Sequence, residues 1–569
     1  MEAIPDGLSL LCPSRSRGVR ESLAISASAL AIMLASATQA QAQLGPGIGL
    51  GVLPPSAVGS NLVNLRELVD SPLLDQPTSL VTYDGKIQAQ VGYTTNANNN
   101  GGYTSGQKQT GSFEEILSPA ASLHVIGNRI QVNGTYAPQA TFYNSANSTD
   151  VVQQNLDVSA HADVVPDALF LDLSAFGGQT ASNFSGLSGT GAAIRNNNTT
   201  QVYGFTATPY FEHSFNGLGT LHAGYTFSDS IFDNQYNKTP GAISNTSSIS
   251  HSENLGFNTG DNFGVFEHVL NGTATQIEAN RSQTGGRTQQ FTYELNYAAT
   301  NYLTLRGQFG YQTIYYSGTT SNGVLTSRPY KLNGITGGGG FTLTPSEDSS
   351  LTAFYGRQDG NENLTLSGTY RPTPRLLLLA TSSSGLTTDA QNLRTLQQTS
   401  TPGAGGIPIS TITGAPVQYV LANPVSVNQV YRQTTSSLSA VLSYDRNSYS
   451  ATLTNTQSQS PNGTAAGGLS TATSTSSYGT FGWQHDAPNG LAVNATISYG
   501  QTRTGSYSGV SARTQPYMTA TAGLVKAFSE QLSGTLNYYY QRTNYGYSGN
   551  LGSSSTVTNE VLAGLLQLF

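Results

Sequence analysis

The feature that most constrains this chain is a period of two that runs from about Leu80 to the C-terminal Phe569. Phe291, Tyr293, Leu295 and Tyr297 alternate with Thr292, Glu294 and Asn296. The next run sets Leu303, Leu305, Gly307, Phe309 and Tyr311 against Thr304, Arg306, Gln308 and Gln312. Successive side chains of a strand point to opposite faces, so each run makes one oily and one wet surface. The same pattern recurs at 156–164, 491–499 and 532–540. A soluble sandwich alternates too, so the connections must decide.

Short and long connections take turns along the chain. Gly127-Asn128, Pro166-Asp167, 299–301, 345–348, 445–447, 486–490 and Ser529-Glu530 are tight. Between them lie polar stretches at 96–107, 179–198, 317–331, 458–473 and 504–512. Tight turns on one side and long loops on the other are the mark of a barrel that crosses an outer membrane. Two strands near 247–258 and 264–279, joined around Asp261, bring the number to about 22 and place both barrel ends on one side. No segment after residue 42 approaches the ~18 apolar residues of a membrane helix. Lipid then admits only a closed sheet. The expected fold is all-β, a transmembrane antiparallel up-and-down β-barrel over 78–569, preceded by a signal peptide.

Composition agrees. Charged residues are 10% and hydrophobic ones 37%, with 63 Gly and 31 Tyr, which suits a surface half in lipid and half in water. A net charge of −7 is too small and dispersed for a nucleic-acid partner. Arg15, Arg17 and Arg20 precede an apolar run from Leu23 to Ala37, and Ala40-Gln41-Ala42 offers a cleavage site before Gln43. Residues 1–42 read as a signal peptide, and 43–77 as a short periplasmic segment. The single cysteine, Cys12, falls in the signal, so disulfides are not expected.

A turn centred on Thr300 would set Tyr297 opposite Leu303, Leu295 opposite Leu305, and Glu294 opposite Arg306 as a lumenal ion pair. In the last strand Val561, Ala563, Leu565 and Phe569 share a face, interrupted by Gln567. A terminal aromatic of this kind suits recognition by the barrel-insertion machinery.

The segment 163–172, Phe341 to Ser346 with 351–357, and 364–370 resemble, in matching order, outer-membrane barrels associated with exosortase/PEP-CTERM and exopolysaccharide loci. The resemblance runs from about residue 78 to the C-terminus. It implies a role in exporting or assembling a surface exopolysaccharide, with polysaccharide and periplasmic export components as partners beside outer-membrane lipid.

Chemistry is sparse. The seven histidines form no ligand-spaced pair, so no metal, cofactor or catalytic group is expected. The nearest catalytic candidate, His251 with Glu253, reads as a solvated pair. The run Gly337 to Gly340 lacks the Lys-Ser/Thr of a phosphate loop and reads as clearance within a strand. The tyrosines are expected mainly as an interfacial girdle, with Tyr539 pointing inward as a candidate glycan contact. In the long stretch 385–430, Val417, Tyr419, Val420 and Leu421 are oily for an exposed loop, and are expected either to fold back and narrow the pore or to form a small self-packed cluster on a surface loop. Receptors with a plug have similar strand numbers but need an N-terminal domain longer than the 35 residues at 43–77. Export of exopolysaccharide is the leading expectation. A diffusion porin or uptake channel, and a structural anchor, are the alternatives.

Overall fold

The computed structural model describes residues 80–97, 111–144, 150–181, 199–233, 246–278, 285–321, 324–327, 329–392, 395, 400–402, 408–410, 430–459, 461, 474–504, 513–545 and 554–569. Ala40, Ala42 and Gln43 lie outside these residues, as do Val417, Tyr419, Val420 and Leu421.

The described chain is a closed antiparallel barrel of 22 strands. Each strand bonds to its neighbours in sequence, and the first, Leu80–Thr94, pairs with the last, Ser554–Leu568. That seam runs from Lys86 opposite Leu568 to Thr94 opposite Glu560. Beyond it, the N–H of Phe569 donates to Gly85 O at 2.8 Å. Two wall strands are interrupted: Ile130–Tyr136 resumes as Gln139–Tyr143, and Val151–Gln153 resumes as Leu156–Val165. Pro138 lies in the first gap and has no N–H to give the ladder, yet the register is the same on both sides of each gap.

Tight turns gather at the end that carries Leu80 and Phe569, the periplasmic end. Several need a left-handed residue, and Asp167 (φ 58°), Asp445 (φ 53°) and Asn489 (φ 71°) supply it. One turn at the opposite end is also tight. Ser349–Gln358 and Asn361–Thr373 are joined by Asp359 (φ 54°) and Gly360 (φ 81°), so the wall is low there.

The outward parity carries the oily residues. Leu305, Phe309 and Tyr311 on one strand are exposed, as are Phe291 and Tyr297 on its neighbour. From Leu303 to Tyr311 this band rises about 20 Å along a tilted strand, close to the apolar height of an outer membrane. The protein resides in the outer membrane with this band in lipid.

The hairpin at 300 is registered differently from the simple expectation. A bulge between Ala298 and Thr300 puts Thr300 opposite Leu303, so Tyr297 faces Leu305 and Leu295 faces Gly307. Glu294 lies opposite Gln308, and Arg306 opposite Asn296. The turn at Asn301-Tyr302 and the bulge together slide the ladder by a net two, which preserves the facing of every side chain.

Candidate functional site

The site is the inward face. By parity, Glu294 and Arg306 both point to the lumen, and Arg306 reaches diagonally to its partner. Its Nη2 and Nε donate to Glu294 Oε1 at 2.7 and 3.1 Å.

Accessibility changes along this face. Toward the periplasm, inward residues such as Asp84, Ser159, Glu212 and Glu267 are exposed. Toward the outside, inward residues around most of the circumference are buried, among them Glu114, Thr141, Val202, Phe232, Gln312 and Tyr517. The lumen is therefore a vestibule open to the periplasm and shut in its outer half. The exposed wall climbs highest along Asn361–Thr373 and Leu376–Thr387, where Thr365, Ser367, Thr381 and Ser383 remain accessible.

That ascending strip ends under the Asp359-Gly360 turn, which is tied down by several contacts. Asp359 Oδ2 accepts the Leu386 N–H at 2.9 Å, and Arg432 Nη2 donates to Asp359 O at 2.7 Å. With its amide turned to suit both neighbours, Asn361 Oδ1 accepts Arg432 Nε–H at 3.1 Å. Burial pushes the Asp359 carboxyl above its usual value, against the lowering pull of the Leu386 N–H and Arg432. Beside the turn, Ile277, Ile314, Tyr316 and Val430 form a buried apolar cluster, flanked by Tyr330, Leu332 and Leu386.

Local sequence fixes the segment that follows Leu376–Thr387. Thr388 and Gln391 cap a short helix at 389–392 reciprocally: Gln391 N–H donates to Thr388 Oγ1 at 3.2 Å and Thr388 N–H to Gln391 Oε1 at 3.0 Å. Tyr431 then donates to Asp389 Oδ1 at 2.7 Å. The described edges of the 385–430 insertion thus form part of the mouth.

Near the periplasmic end a row of rings crosses four adjacent strands. Phe170 stacks on Tyr210 with centroids 5.0 Å apart, and His161 and His222 extend the row at 6.0 and 5.3 Å. His161 Nδ1 lies 2.6 Å from Asp172 Oδ1, and its Nε2 lies 3.2 Å from Asp163 Oδ1. Among the described residues, no group of three or more His, Cys, Asp and Glu is arranged to hold a metal ion. His251 faces outward, bonded to Tyr225 Oη at 2.6 Å and Glu278 Oε1 at 3.1 Å, so it is not paired with Glu253. Tyr539 faces inward but packs against Ile116 and Leu562, so its ring is part of the wall.

No family model and no curated protein matches the chain. Among solved structures it is similar to the FrpB iron transporter from Neisseria meningitidis, at 10% identity and a TM-score of 0.47, over 87% of this chain and 82% of that one. The siderophore receptor PirA from Acinetobacter baumannii gives 10% and 0.44, over 86% and 80%. The copper transporter OprC gives 11% and 0.41, over 87% and 81%. At these identities the likeness is one of architecture. The exopolysaccharide reading is corrected here. The solved barrels named above are transporters and receptors for iron, siderophores and copper, which belong with uptake. The inward face, shut toward the outside, is also a poor conduit for a growing polymer.

The inward clues were partly legible. Parity placed Glu294, Arg306 and Tyr539 on the lumen side. The mouth cluster joins residues from 277, 314, 359 and 432, and no local signal connects them.

Proposed function

We propose that this barrel is a gated uptake channel of the outer membrane, carrying a small solute inward past the Asp359–Arg432 contact. The observation that carries the reading is the accessible strip of Thr365, Ser367, Thr381 and Ser383, which rises from the periplasmic vestibule toward the low Asp359-Gly360 turn, to which Arg432, a residue of outward parity like Leu438, is bonded. A permanently open porin would keep its inward residues wet at both ends. A channel that opens on demand needs a barrier it can move, and the low wall at 359–360 puts the barrier on a short hairpin rather than on a long strand pair.

The test is single-channel conductance of the purified protein in planar bilayers. Wild type is expected to conduct little, and Arg432→Ala to open larger or longer events, because it removes the hydrogen bond to Asp359 O and the one to Asn361. Steady conductance of wild type at the level of an open pore of this strand number would refute the gate. In cells, slowed growth of a deletion strain on a limiting nutrient is expected, with secreted polysaccharide unchanged.

A further inference from the structure

On the lipid face, four adjacent strands leave a groove that the uptake channel does not use. Asn447–Gln459, Ser474–Ala487, Leu491–Thr504 and Arg513–Ala527 form this part of the wall. Phe481 and Ile497 are exposed to the outside of the barrel, and Trp483 and Tyr449 share their parity. With Ala495 and Ala520, whose short side chains leave the sheet low, these rings and the isoleucine line a concavity of about 440 Å³.

The wall of the groove is held in place by the protein itself. Trp483 Nε1–H donates to Asn447 Oδ1 at 3.1 Å, and His485 Nδ1 lies 3.0 Å from the same oxygen. The Trp483 and His485 rings stack with centroids 6.2 Å apart. The indole is therefore ordered before anything enters, so an occupant does not have to order it.

The depth of the groove in the membrane follows from the register. Asn447, at the wet end, pairs with His485, which pairs with Val493. Ile497 is four residues farther up, or about 13 Å along a tilted strand. That is half of the roughly 25 Å apolar band of an outer membrane, so the groove lies within the periplasmic leaflet. The molecules at hand there are phospholipids. A chain lying on the flat wall meets protein on one side, whereas a chain in the groove meets it on several, and dispersion grows with the number of atoms touched.

The rim below the groove carries both signs of charge. Arg446 and Asp445 are exposed in the turn that leads to Asn447. On the far flank, Lys526 stands opposite Leu491, and its Nζ also donates to Asn489 O. A phosphate would meet a cation on each flank, and an amine would meet Asp445.

We infer that this groove holds one acyl chain of a phosphatidylethanolamine-type lipid of the periplasmic leaflet, with its phosphate at Arg446. The site is independent of what the channel carries.

Trp483 is the single tryptophan and lines the groove, so its fluorescence reports occupancy. The experiment is quenching of that fluorescence in the full-length folded barrel in dodecyl maltoside, by phosphatidylethanolamine with dibrominated acyl chains. Wild type is expected to quench saturably at a low mole fraction of lipid in the micelle, and unbrominated phosphatidylethanolamine should restore the signal. Ala495→Phe fills the floor and should raise the half-quenching fraction by about fivefold or more. Ala520→Phe gives the second reading if that variant does not assemble, as judged by the heat-dependent shift in electrophoretic mobility. Leu270→Phe, the same ring on a distant lipid-facing strand, should change nothing. Arg446→Gln should weaken binding by about two- to fivefold. Quenching that only rises in proportion to the lipid fraction, saturation that survives both alanine substitutions, wild-type affinity in Arg446→Gln, or equal competition by diacylglycerol, which has no phosphate, would overturn the assignment.

Discussion

The strand Tyr330–Ser346 contains two inward glycines that ought to respond to the same substitution in opposite ways. A Cβ on Gly338 would lie 2.3 Å from Tyr355 O and 2.4 Å from Gly356 Cα, with the Phe354 ring at 3.0 Å. The first two are backbone atoms of the paired strand, and Gly338 is in register with Gly356, so the contact cannot be relieved by turning a side chain. Gly334, four residues away on the same face, has nothing within 4 Å of such a Cβ. Gly338→Ala should therefore cost about 1–3 kcal/mol through forced strand separation. Gly334→Ala should gain about 0.4–1 kcal/mol by narrowing the unfolded ensemble. The gap between them is about 1.5–4 kcal/mol, well beyond the spread expected of surface changes. Urea unfolding in lipid vesicles, followed by the fluorescence of the single tryptophan, Trp483, gives the two midpoints. Equal midpoints, or a higher one for Gly338→Ala, would refute the idea that these glycines are present to let strands approach.

Glu294→Gln should lose about 0.5–1 kcal/mol at low salt, and a double-mutant cycle with Arg306→Gln should return that amount as coupling, since the pair is only partly accessible. Asp359 is held in its turn with a raised pKa, so its protonated form is favoured by the fold. Stability from that source is full below the ordinary carboxylate value and falls as pH rises through the folded value. Asp359→Asn should flatten this fall in a thermal-unfolding series taken across acidic pH. Phe569→Ala removes a ring whose Cδ2 lies 4.0 Å from where a Cβ on Gly85 would be, while leaving the backbone bonds to Gly85 in place. A smaller heat-modifiable fraction in outer-membrane preparations is expected, and an unchanged fraction would remove the C-terminal aromatic from the account of assembly.

Parity was the most legible property, because it needs only a residue's own position. It put Leu305 and Phe309 in lipid and Arg306 in the lumen, and the altered hairpin did not disturb that, since the net slide from turn and bulge together was by two. The same bulge defeated the cross-strand partners, which depend on a local kink that Ala299 does not announce. The tight turn at Asp359-Gly360 carries a familiar hairpin dipeptide, but it breaks the rule that loops outside are long. The shut outer half was least legible. Whether Phe232 or Gln312 is wet depends on what lies across the lumen, and period two specifies only the side on which each one stands.

Val561 and Leu565 face outward, and Glu560 and Leu562 face inward, on one strand of the seam. The outward set must satisfy lipid over its whole height, so its chemistry is uniform and its substitutions act on assembly. The inward set is free to vary with depth, and it does: wet near the periplasm, dry and partly charged near the surface. Passage of any solute must therefore be paid in the outer half, where buried oxygens such as those of Glu114 lose or gain partners. An inward change there should alter traffic at nearly constant folded yield, and an outward change on the same strand should do the reverse. Glu560→Gln set beside Val561→Asn separates the two faces of that one strand.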